Sequence, residues 1–171
     1  MIIKTTHFLF WKCLNLNKLV FKDDSVDLSN YKIEYIRHKL SYDESLKYFI
    51  NIQKIIHNLE RNNMTISSIE ETDFVLLDNN MYIINDKFVV PLKNNYFTLT
   101  TPIKSSVCVI PPEFKYEIPI TLYKSFCYYM ICIFLINTLE YEMNHICHTP
   151  LYFSLKRGIH DNPLKRFLII I

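Results

Sequence analysis

The chain has 171 residues, of which half are apolar or aromatic and 21% charged, with a formal charge of +2; this suffices for one domain with a sizeable core and excludes a disordered chain. The near-neutral balance supplies no basic tract of the kind that wraps nucleic acid, so no nucleic-acid partner is expected. There is no alanine and a single glycine, Gly158, which excludes a Walker P-loop, a dinucleotide fingerprint or a kinase-type glycine-rich loop upstream of it, because backbone amides approach phosphate closely only where glycine permits it.

Residues 1–40 alternate apolar pairs with Lys and Asn around the polar stretch Lys22 to Asn30, and read as short strands around a loop. Phe8 to Trp11 is too short for the core of a signal peptide. Ser41 followed by Glu44 is a capping box, and Leu46, Phe49, Ile52, Ile56 and Leu59 then recur at the spacing of one helical face. The helix is expected to end near Arg61, Asn62 and Asn63, and an irregular polar segment to follow as far as Thr72.

Phe74 to Leu77 and Met81 to Ile84 read as a small hairpin across the turn Asp78-Asn79-Asn80. Residues 85–112 read as a long, mostly irregular connection. Phe126 to Leu139 is a nearly unbroken apolar run of 14 residues, short of the roughly 20 that span a bilayer and expected to form a buried helix. Thr149 and Pro150 open a further helix that Gly158 can close, and Asp161 or Asn162 with Pro163 opens a last one.

The five cysteines, Cys13, Cys108, Cys127, Cys132 and Cys147, follow no disulfide pattern and read as reduced thiols of a cytoplasmic protein. His145, Cys147 and His148 lack a second ligand pair at metal-binding spacing. Lys156, Arg157, Lys165 and Arg166 read as a solvated face. Abundant Ile, Asn, Lys and Tyr are the codon signature of an AT-rich genome, as in many viruses and protozoa.

The order of these elements resembles the C-lobe of the eukaryotic-type protein kinases on four motifs. Phe74-Val75-Leu76-Leu77-Asp78 is similar to the strand after the catalytic loop, and Asp86-Lys87-Phe88 lies where kinases carry Asp-Phe-Gly. Ile110-Pro111-Pro112-Glu113-Phe114 resembles the Ala-Pro-Glu closure of the activation segment. His160-Asp161-Asn162-Pro163-Leu164-Lys165-Arg166 resembles the Asp-Pro-x-x-Arg turn. The resemblance implies an α+β, mainly α fold: a protein-kinase-like C-lobe over residues 41–171 with a small β-hairpin, and a remnant N-lobe or hinge-like segment over 1–40. It also implies an ion pair between Glu113 and Arg166.

The same alignment puts Ser68 at the catalytic Asp, Glu70 at the phosphate-contacting Lys and Asp73 at the metal-binding Asn. Kinase chemistry needs an Asp beside the accepting hydroxyl, a Lys on the phosphates, and Asp and Asn on magnesium. Serine does not serve as that base, and Glu70 repels phosphate. Asp86 is one residue early for its place, which in a strand reverses the direction of the side chain; Asp73 and Asp86 remain the candidate metal ligands. The function expected is a pseudokinase, a binding or scaffold module with a protein partner and no cofactor. The alternatives are an atypical serine/threonine kinase that uses Mg-ATP once a separate N-lobe complements it, and a small membrane-associated structural protein built on the apolar helix.

Overall fold

The computed structural model describes residues 33–35, 39–69, 74–77, 80–83, 88–103, 110–115 and 117–168. The fold is mixed α+β. Its strands and helices, in chain order, are β1 (Ile33–Tyr35), α1 (Tyr42–Arg61), β2 (Met64–Ile66), β3 (Phe74–Leu77), β4 (Asn80–Ile83), β5 (Val89–Pro91), β6 (Tyr96–Leu99), β7 (Ile120–Tyr123), α2 (Phe126–Thr138) and α3 (Pro150–Gly158). Short 3-10 turns cover Met143–Ile146 and Pro163–Lys165.

Helix α1 starts where the capping box places it. The Ser41 hydroxyl accepts from the Glu44 amide while the Glu44 carboxylate accepts from the Ser41 amide, which satisfies two donors at the helix start. The helix buries Phe49, Ile52, Ile55, Ile56 and Leu59 along one face. It ends at Asn62 and Asn63, and Asn63 takes a left-handed φ of 56°, the post-helix conformation that glycine usually supplies. In a chain almost without glycine, asparagine fills that role because its short polar side chain tolerates the left-handed region.

The strands exceed the single hairpin and the short strands within residues 1–40 expected from sequence. The β3–β4 hairpin is present, with Leu77 opposite Asn80, and β1 adds to its other edge to give a three-stranded antiparallel sheet, β1-β3-β4. The segments between the expected elements contain four more strands. Strand β2 pairs antiparallel with β5, Thr65 opposite Val90, and β6 pairs antiparallel with β7, Thr98 opposite Thr121. Asn94 and Asn95, at φ 52° and 67°, turn the chain from Lys93 to Tyr96; two successive positive φ values are what a two-residue hairpin turn requires.

Helix α2 runs through the core. Phe126, Ile131, Cys132 and Leu135 are fully buried, whereas Tyr129, Ile133, Phe134 and Ile136 are half-buried, so the helix is not enclosed on every face. Its C-terminal end is tied to the start of α1: Leu40 donates to the Thr138 carbonyl at 2.7 Å, and the Glu140 amide donates to the Leu40 carbonyl at 2.8 Å. Its N-terminal end meets Phe97 edge-on and Phe114 at a tilt.

Helix α3 opens as expected, with Pro150 in the first turn and the Thr149 hydroxyl accepting from the Tyr152 amide. Gly158 serves a different purpose from the expected left-handed closure. Its φ is not positive, and a Cβ there would lie 2.2 Å from Cys132 Sγ; the missing side chain lets α3 approach α2. The last expected helix is instead the single turn at Pro163–Lys165, capped by Asn162, whose side chain accepts from the Leu164 amide. Among the described residues no helix is long and apolar enough to cross a membrane.

Candidate functional site

The structure brings together two residues 53 positions apart, Glu113 and Arg166. Arg166 Nη1 donates to Glu113 Oε1 at 2.5 Å and Nη2 to Oε2 at 2.7 Å, a two-pronged pair. Two further donors are used locally: Nε reaches the His160 carbonyl at 2.5 Å, and Nη2 also reaches the Asp161 carbonyl at 3.1 Å. The guanidinium stacks on the Tyr129 ring of α2, 4.8 Å from its centroid.

The Arg166 side chain is fully enclosed and that of Glu113 is half-buried. A cation removed from water is tolerated only where its donors are met, and here the planar fork matches a carboxylate and two carbonyls at once. Ser125, at the head of α2, adds a second tie to the same turn by donating to the Pro163 carbonyl at 2.6 Å. The Pro-Pro-Glu loop, the central helix and the C-terminal turn thus meet at one buried guanidinium.

Ser68 lies just beyond β2 and is buried. It lines a cleft of about 530 Å³ between that strand end, Phe88 and Val90, and residues 98–103. Its neighbour Ser67 is fixed against Phe88, donating to that carbonyl from both the amide, at 2.8 Å, and the hydroxyl, at 3.0 Å. The described walls carry hydroxyls, from Ser68, Thr98, Thr100 and Thr101, and apolar groups; none of them is a cation or a carboxylate.

Glu70, Asp73 and Asp86 lie outside the described residues. Among the described residues no three His, Cys, Asp or Glu side chains converge as a metal site; His145 and His148 are exposed, and His145 packs edge-on against Tyr141.

A second polar cluster went unrecognised in the sequence because its members, from α1 and from the turn into α2 and that helix, lie more than 60 residues apart. The Tyr128 hydroxyl donates to Glu60 Oε1, and Lys124 Nζ donates to Glu60 Oε2 at 2.7 Å. These residues join the end of α1 to the start of α2, and Glu60 and Tyr128 line a cavity of about 290 Å³. Burial, and then the negative charges of neighbouring groups including Glu60, push the Tyr128 phenol far above its ordinary range, so it stays protonated and donates. The Cys127 and Cys132 thiols are fully enclosed; burial pushes Cys127 up to about 12 and raises Cys132 as well, which makes both poor nucleophiles.

No protein-family model matches the chain, and no curated protein matches it at a significant level.

Proposed function

We propose that the chain is a degenerate protein kinase-like domain that acts as a binding module for a protein partner rather than as a phosphotransferase. The observation that carries this reading is the buried two-pronged pair of Glu113 and Arg166, because it joins the two motifs that the resemblance to kinases links. The order of elements around the pair agrees: a long helix, a strand leading to Ser68, a hairpin, a closing strand, the Pro-Pro-Glu loop, an apolar central helix and the Arg turn.

The chemistry is missing where the lobe's framework is kept. A serine stands at the position of the catalytic base, the cleft beside it is neutral in its described walls, and the chain carries no glycine before Gly158 to form a phosphate-cradling loop. Such a domain works through the surfaces it presents.

The test is to incubate the purified chain with labelled ATP, magnesium and a general acceptor protein, and in parallel to follow its melting temperature with and without Mg-ATP. No transfer and an unchanged melting temperature are expected, since a ligand present at 100 times its dissociation constant would stabilise the fold by about 2.7 kcal/mol. Magnesium-dependent transfer that disappears in Asp73→Ala or Asp86→Ala would overturn the proposal in favour of an atypical kinase.

A further inference from the structure

The surface of α3 and the turn after it carries a cationic, aromatic ledge. Phe153 and Arg157 stand one helical turn apart on the same face of α3. The Arg157 guanidinium lies 4.2 Å from the centroid of the Phe167 ring, which brings α3 and the C-terminal turn together at the surface. Phe153 is 56% exposed and Phe167 45%, and Leu164, in the intervening turn, is 65% exposed. Tyr152 packs edge-on against Phe153, and Lys156 Nζ sits over the Tyr152 ring.

Charge on this segment is one-sided. Between residues 150 and 168 the charged side chains are Lys156, Arg157, Asp161, Lys165 and Arg166. Arg166 is consumed inside the molecule by Glu113. That leaves three exposed cations against one carboxylate. A large apolar side chain held at the surface costs free energy unless something covers it. An exposed guanidinium held over an aromatic ring uses no N–H donor in that contact, and its planar fork can receive a carboxylate by two hydrogen bonds.

We propose that this ledge docks an acidic peptide segment of a partner protein, its carboxylates on Arg157, Lys156 and Lys165 and its apolar side chains against Phe153, Phe167 and Leu164. The stacking of Arg157 on Phe167 and of Tyr152 on Phe153 orders the ledge before a partner arrives, which lowers the entropy lost on binding and favours a directional peptide contact over a fluid lipid surface. The proposal deepens the binding-module reading, yet its test is independent, because peptide binding is measured without nucleotide and phosphotransfer without peptide.

The probe is a dye-labelled peptide that alternates glutamate with phenylalanine, titrated with the full chain and read by fluorescence anisotropy, beside the matching lysine peptide and vesicles of phosphatidylserine. The glutamate peptide is expected to bind, with affinity falling as salt rises. Arg157→Glu should weaken it about tenfold or more, and Lys156→Glu combined with Arg157→Glu, which leaves Lys165 against three carboxylates, should make the lysine peptide the better ligand; that gain is a readout no unfolded variant produces. Phe153→Ser should weaken the glutamate peptide without changing the charge preference. Equal binding of the two peptides, no binding of either, binding only to vesicles, or burial of the ledge between two copies of the chain in sedimentation would each overturn the proposal.

Discussion

Glu113 and Arg166 hold the Pro-Pro-Glu loop to the C-terminal turn through two parallel hydrogen bonds of 2.5 and 2.7 Å, with the arginine side chain wholly out of water. The pair is a closure of the chain, since the two segments are otherwise separated by β7, α2 and α3.

Because the guanidinium is buried, removing its partner costs more than the bond itself. Glu113→Ala should destabilise the fold by about 3 to 5 kcal/mol in urea unfolding. Arg166→Met combined with Glu113→Ala should cost less than the sum of the single changes, since no charge is then stranded. Additive losses in the double-mutant cycle would show that the two side chains do not act as a unit.

Gly158 gives a second test. An added methyl there meets Cys132 Sγ, so Gly158→Ala should lose about 1 to 3 kcal/mol through overpacking, although alanine is the better helix former. Cys132→Ala vacates the space, and the double variant should recover most of that loss. A Gly158→Ala protein as stable as the parent would mean that α3 and α2 do not pack this closely.

The enclosed thiols predict both reactivity and pH dependence. With a neutral thiol-labelling reagent followed by peptide mass mapping, native protein should label at half-buried Cys147 while Cys127 and Cys132 stay unmodified until denaturant is added. The folded Cys127 keeps its proton to about 12, against an ordinary value of 9.0. The unfolded chain therefore binds fewer protons between those values. Stability is accordingly expected to be full below pH 9 and to fall as pH rises towards 12, by up to about 1.4 kcal/mol per pH unit from this thiol. Cys127→Ala should flatten that slope; an unchanged slope would contradict the burial.

Along α2, burial ranks the damage that a charge would do. Ile131 is fully enclosed and Phe134 half-buried. Ile131→Asp should abolish folding, as judged by circular dichroism, because an unpaired carboxylate would enter the core. Phe134→Asp should give a folded protein of lowered melting temperature. The reverse order would mean that the helix is turned the other way.

What the sequence alone determined were the elements whose signals are local. Ser41 with Glu44 and Thr149 with Pro150 mark helix starts through hydrogen bonds made within one turn, and the apolar stretch from Phe126 is long enough to define its own helix. Strands β2, β5, β6 and β7 are three or four residues each and gain their hydrogen bonds only from distant partners, so their segments looked irregular; the Asn94-Asn95 turn and the alternation of exposed Tyr96 and Thr98 with buried Phe97 and Leu99 were the available signs. Only the tertiary structure decided that Gly158 is there for the sake of Cys132, that Glu60 gathers Tyr128 and Lys124, and that Phe167 stands beside Arg157 at the surface. Each of these depends on how helices and turns approach one another, and that approach is set by the packing of the whole core rather than by spacing along the chain.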